Sequence, residues 1–303
     1  MSGYLVLLIW PAGLAAIFGA AFAVSRARTG RPAVGGRGQQ ERQERQGQQG
    51  RQGRQEREGR EAGRHQSHRA SGSSALADAS DGSWRFAIVA AVGAAAAFAV
   101  MALLGLLVVH HGLTIDRPTF RWVHGHQVHA AAAAMKRLTK IGDTWTTWGA
   151  AAAAAVCLAV ASRDRRWLPP VALAALIVVD HYATLALRHV FHRLGPPTSP
   201  LGTYPSGGCD RSIVIYGLIA YLLWREFSGR PTTAVWAAAA VAALGFNEAY
   251  SRVYLSLHWF TDALSGLLYG GLLLAAFIIA VRAATGRPVA PRAGLTAAEG
   301  YAA

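Results

Sequence analysis

The sequence predicts an all-α, polytopic membrane helical bundle, and three observations carry that expectation. Hydrophobic residues make up 52% of the 303 and charged residues only 15%, well below the quarter or so of charged residues found in soluble globular chains. The apolar residues gather in runs long enough to cross a bilayer as helices. Basic residues cluster between the runs, as the positive-inside rule requires of a threaded chain. Two cysteines, Cys157 in an apolar run and Cys209 in a polar turn, exclude a disulfide framework, and no Cys/His spacing suggests zinc.

The first run, Gly3 to Val24, carries no charge and is about 33 Å long as a helix. A span and a signal peptide both fit that length. Signal peptides carry positive charge before the apolar stretch, whereas here Arg26, Arg28 and Arg31 follow it. Residues 1–24 are therefore expected to form an uncleaved transmembrane helix with its N-terminus outside.

Residues 25–84 are Gln, Gly, Arg and Glu in near-repeats such as Gln52-Gly53-Arg54-Gln55-Glu56-Arg57. The stretch holds 12 Arg against 7 Asp+Glu, so it supplies only +5 of the total +14. Almost without large apolar residues it has no core to bury, which predicts a disordered basic linker. Its interleaved acids favour a solvated cytoplasmic linker over specific nucleic-acid binding.

From Phe86 the chain reads as six further spans: Phe86 to Val109, Trp145 to Ala161, Leu168 to Leu187, Ile213 to Trp224 with its flanks, Ala234 to Ala249, and Phe260 to Val281. An amphipathic stretch around Ala130 to Leu138 is expected to lie along the membrane interface. Residues 85–284 form this core and 285–303 a flexible tail. Threading puts the linker, the Arg163–Arg166 and Arg225–Arg230 turns and the Arg282–Arg292 tail on the cytoplasmic side. The loop 110–143 and the segments 188–211 and 251–262 then share the opposite face, where a site is to be sought.

Three segments on that face carry chemistry. In the segment from Ser251 to Asp262, helical spacing puts His258 one turn from Asp262 and two from Ser251. An Asp that accepts from one imidazole nitrogen leaves the other free as a nucleophile or base. Arg252 offers a guanidinium fork to a phosphate. Pro205-Ser206-Gly207-Gly208 opens the fifth span, where backbone N–H groups and the Ser206 hydroxyl can meet an anion. Arg188 and Arg193 bring cations to the end of the fourth span.

In this order and with these separations, the segments resemble the signature motifs of the type 2 phosphatidic acid phosphatase superfamily, which also contains vanadium haloperoxidases. The family's pattern is Lys-x6-Arg-Pro, then Pro-Ser-Gly-His, then Ser-Arg-x5-His-x3-Asp. The third motif is complete as Ser251, Arg252, His258 and Asp262. The resemblance implies a six-span lipid-phosphatase-like core plus one extra N-terminal span. It implies a site facing away from the cytoplasm in which His258 attacks phosphorus to form a phosphohistidine, with Asp262 orienting it. Arg252, Arg188, Arg193, Ser206, Ser251 and the N–H of Gly207 would hold the phosphoryl oxygens, and neither metal nor cofactor is required. Asp180, two turns before Arg188, and Glu248, one turn before Arg252, are candidate carboxylates behind those arginines, or else ion pairs that only fix helix packing.

Two positions depart from the family. Arg188 replaces the Lys of the first motif, but Gly195 stands where its Arg belongs, with Arg193 as the candidate substitute. Gly208 stands where the second motif has the histidine that protonates the leaving group. General-acid help is worth roughly 10²–10⁴-fold, and a leaving group that is already a good anion needs little of it. The expected substrate is therefore a lipid diphosphate such as a polyprenyl diphosphate, unless Asp210, His189 or His192 supplies the proton. Restoring histidine at 208 is expected to raise activity on monoesters.

A second reading is a catalytically impaired member that binds or transports lipid phosphates; a haloperoxidase is a distant third. His124, His126 and His129 read as solvated loop histidines, since no carboxylate or cysteine completes a metal set. The expected partners are a lipid phosphate and the surrounding membrane lipids, the expected location is the cell membrane, and the Ala- and Arg-rich composition suggests a bacterium.

Overall fold

The structure, a computed structural model, describes residues 64–162, 165–197, 199 and 203–286, with side chains from residue 82 on. The expected first span and most of the linker and tail lie outside the described residues. Among the described residues eight α-helices follow in order: α1 (Arg64–His111), α2 (Leu113–Gly125), α3 (His129–Leu138), α4 (Thr144–Ala161), α5 (Leu168–Phe191), α6 (Gly207–Leu223), α7 (Pro231–Tyr254) and α8 (Phe260–Thr285). A 3-10 turn, Thr139–Gly142, joins α3 to α4. Helix α1 reaches back to Arg64, inside the stretch that composition assigns to the linker.

Among the described residues four helical segments are long and apolar enough to cross a membrane: Gly82–His111, Thr144–Ala161, Leu168–Phe191 and Phe260–Thr285. The fifth and sixth expected spans, α6 and α7, fold as helices but fall short of that measure. The physical reason is local. Helix α6 opens on Gly207-Gly208-Cys209-Asp210-Arg211-Ser212, and the last turns of α7 hold Asn247, Glu248, Ser251 and Arg252. The helices with the most polar ends are those that build the site.

Helix α6 runs through the centre, packed against α4, α5, α7 and α8, and buries Val214, Ile215, Leu218 and Leu222. Helix α1 lies along α8, with Phe86 edge-on to Phe277 at 6.0 Å between ring centroids. Lipid tails are as apolar as leucine, so close packing between small residues has to hold such helices together. Gly93 backs onto Ala276 and Gly270 onto the backbone of Asp210, each so closely that an added side-chain carbon would lie within 2.6 Å of the neighbour. Ile88, Val92, Leu103, Val156, Val160 and Val178 point outward, which suits a surface covered by lipid.

At one end, α2, α3 and the 3-10 turn fold over α7. The Gln127 amide donates to the Tyr254 carbonyl, and the Val128 N–H donates to the Tyr254 hydroxyl at 2.9 Å. Met135 and Val123 pack on the same tyrosine. The amphipathic segment thus becomes a short helix that closes one end of the bundle. At the other end Arg165 donates to the Ala284 carbonyl, in the last turn of α8.

Candidate active site

The site is built on the N-terminus of α6, where unpaired N–H groups and the helix dipole present positive charge. Ser206 is the N-cap residue, fully buried, and its Oγ has no hydrogen-bond partner. Its N–H donates to the backbone carbonyl of Asp262 at 3.1 Å, which fastens the helix start to α8.

Three guanidiniums converge on this helix end because it begins with two glycines. A side-chain carbon at Gly207 would lie 2.7 Å from Arg188 Nη2 and 3.0 Å from Arg211 Nη1. One at Gly208 would lie 2.6 Å from both Arg252 Nη2 and Glu248 Oε1. Arg188 comes from the last turn of α5, Arg252 from that of α7 and Arg211 from the start of the second turn of α6. Buried Glu248 accepts from Arg252 Nε at 2.6 Å and from Thr139 at 3.0 Å, so it aims this guanidinium. Arg188 Nε is buried without a partner. Cations crowded together beside an unpartnered hydroxyl and a helix N-terminus make a cradle for an anion.

His258 stands in the turn between α7 and α8, and its Nδ1 is 3.2 Å from the Thr203 carbonyl. A carbonyl only accepts, so Nδ1 carries the proton and Nε2 presents its lone pair. Burial, and then the guanidiniums of Arg252 and Arg188, push the imidazole down to about 3 from its ordinary 6.5. The ring is therefore neutral in neutral water, the state a nitrogen nucleophile needs.

The structure departs from the sequence reading at four site residues. Asp262 is fully buried and bound by Arg193 Nη1, and the Thr203 carbonyl holds His258 in the place expected of Asp262. Arg193 is buried between Asp262 and Asp116, with Nη2 2.5 Å from Asp116 Oδ2 and Nη1 3.0 Å from Thr261 Oγ1. With Nη1 and Nη2 both taken by fully buried carboxylates and its own side chain only 6% exposed, this guanidinium has no free face to offer a phosphate. Ser251 is also buried and donates to the Glu248 carbonyl of its own helix at 2.9 Å. Asp180 lies deep in α5 with Oδ1 unpartnered. The Thr184 hydroxyl between it and Arg188 donates instead to Asp210 Oδ2 at 3.0 Å.

The three proposed stand-ins for the missing histidine are placed elsewhere. His189 is exposed, its Nδ1 2.8 Å from the Leu185 carbonyl of its own helix, and His192 is exposed in the left-handed turn that ends α5. Asp210 is fully buried and accepts from Thr184 and from the Arg211 N–H. The space beside Gly208 is filled by the Arg252–Glu248 pair, so a histidine there would have to push that pair aside. The expected gain from Gly208→His is thus opposed by displacement of a cradle arginine. In α2 His124 stacks on Phe120 at 5.3 Å, and just past it His126 Nδ1 is 2.6 Å from the Trp122 carbonyl.

Sequence reasoning missed Arg211, Asp116, Asp143, Thr139 and the Thr203 carbonyl. Arg211 had a signal: a cation one turn into a helix, close to its positive end, makes sense where an anion is expected. The Thr203 carbonyl had none, because any residue supplies one.

The profile of the PAP2 superfamily matches residues 87–285. The fold is similar to that of a solved structure described as the first transmembrane PAP2 type phosphatidylglycerolphosphate phosphatase from Bacillus subtilis. The TM-score is 0.55 at 18% identity, over 61% of this chain and 94% of that one. That likeness speaks for the fold alone. Among curated proteins none matches the chain in sequence. With the family profile spanning every helix that lines the cradle, this chain belongs to the PAP2 superfamily.

Proposed function

We propose that this protein is a membrane lipid phosphatase that prefers a lipid diphosphate, such as a polyprenyl diphosphate, and works through a phosphohistidine on His258. The observation that carries the reading is the meeting of a neutral imidazole with three guanidiniums and a glycine-opened helix end. Arg188, Arg211 and Arg252 hold the terminal phosphoryl oxygens together with Ser206 and the N–H groups of Gly207 and Gly208. Nε2 attacks phosphorus while Nδ1–H remains on the Thr203 carbonyl, and the bond to the bridging oxygen breaks. The departing lipid monophosphate leaves as an anion, so the absence of an acid at 208 costs little. Fixed donors stabilise the charge that develops on the phosphoryl group.

In this reading α6 and α7 complete six crossings, and the cradle faces away from the cytoplasm. The basic turns support that orientation: Arg165, Arg166, Arg225, Arg230 and Arg282 all belong to turns and helix ends distant in the thread from the cradle.

The test is phosphate release from a panel of prenyl diphosphates, prenyl monophosphates and phosphatidate by wild type and His258→Ala. Release fastest from diphosphates and lost by orders of magnitude in the variant is the expected result. A strong preference for phosphatidate contradicts the leaving-group argument. Lipid phosphate binding without any release supports the non-catalytic reading instead.

A further inference from the structure

A water molecule that cleaves a phosphohistidine must lose a proton as its oxygen bonds to phosphorus. Glu248, which also flanks Gly208, is fully buried and holds Arg252 and Thr139. Asp210 is fully buried as well, and His189 and His192 bend away to their own backbone or to solvent. Asp143 is placed differently. It stands at the junction of the 3-10 turn and α4, half-exposed at 51%, with Oδ1 3.2 Å from Arg252 Nη2.

That same Nη2 lies beside residue 208. Asp143 Oδ1 is therefore at most about 6 Å from the place where the family histidine would begin its side chain. An imidazole rooted at 208 and a carboxylate rooted at 143 reach into the same small volume. The turn that carries Asp143 is held firmly over the start of α6. The Gly142 carbonyl accepts from Arg211 Nε at 3.3 Å, the Ile141 carbonyl accepts from the Tyr216 hydroxyl at 2.9 Å, and a side chain on Gly142 would collide with the Gly208 carbonyl. Solvent reaches the carboxylate, and the arginine it touches is one that would hold the phosphoryl group.

We propose that Asp143 is the general base of the second half-reaction, taking over from a different strut of the fold the work of the histidine missing at 208. The inference rests on the phosphohistidine route. Water attacks phosphorus, the new P–O bond forms, and the P–Nε2 bond breaks with its electron pair returning to the imidazole. The water proton passes to the Asp143 carboxylate, and inorganic phosphate departs. A lipid diphosphate, whose leaving group departs as a phosphate anion, needs a base for water and no acid for an alkoxide.

The test is rapid quenching of the full-length protein with farnesyl diphosphate labelled in its terminal phosphate, comparing wild type with Asp143→Asn. In the variant, label is expected on His258 at the wild-type rate and to build towards one equivalent, while phosphate release slows roughly 10²–10⁴-fold. Hydroxylamine, a stronger nucleophile than water that attacks without a base, should restore turnover in the variant and leave wild type little changed. Unchanged release overturns the proposal. So does an equal slowing of label formation, because Asp143 would then act only through Arg252. Phosphate release by wild type with no label on His258 overturns the phosphohistidine route itself, and the role of Asp143 with it.

Discussion

Thr203 and His258 show how the protonation state of an imidazole can be set without a carboxylate partner. A backbone carbonyl fixes the tautomer, while burial and two guanidiniums keep the ring neutral down to a pKa of about 3. The kcat/KM profile, which reports the free enzyme, should therefore show no loss of activity centred on 6.5 from this residue; its acid limb lies lower. A limb at 6.5 that moves with substitutions at Arg252 or Arg188 would contradict the assignment. The same depressed value links to stability. The favourable contribution of the neutral ring is complete above 6.5 and is lost as pH falls from 6.5 through about 3. At this scale the sequence pointed to Arg252, Arg188, Ser206 and Gly207, which the structure gathers at the start of α6, and to His258, which lies on the Thr203 carbonyl. It misread Asp262, because i, i+4 spacing presumes one continuous helix, whereas α7 ends at Tyr254 and α8 starts at Phe260.

Helices α2, α5 and α8 are tied at one buried point. Asp116 from α2, Arg193 just beyond α5 and Asp262 from the first turn of α8 form a carboxylate–guanidinium–carboxylate bridge, and Asp116 also accepts from the Thr261 N–H at 2.9 Å. Removing the central cation strands two buried carboxylates, and breaking a buried pair costs about 3–5 kcal/mol. Arg193→Met should therefore lower the melting temperature in detergent far more than Asp116→Asn, which leaves one charge of each sign. The opposite order would show that the bridge does not behave as a buried ion pair. The apolar runs made most helices legible, since their length alone predicts α1, α4, α5 and α8. The bridge was not legible, since Asp116 and Arg193 are distant in sequence and meet only when three elements do.

The described residues form a helical bundle with the three polar segments gathered at one end. The loop 110–143 and the segments around 188–211 and 251–262 meet there through Thr139–Glu248, Arg193–Asp116, Asp143–Arg252 and Trp259–Leu194 contacts. That gathering was legible from the order of spans and the placement of basic turns. Four of the six expected crossings meet the length and apolarity of a span among the described residues, because α6 and α7 trade apolar length for the residues that line the cradle. The most direct measurement is to mix the full-length protein with a prenyl diphosphate labelled in its terminal phosphate, quench within one turnover, and locate the label by peptide mapping. A phosphohistidine mechanism gives label on His258, absent from His258→Ala. Released phosphate with the label on another residue, or on none, contradicts it.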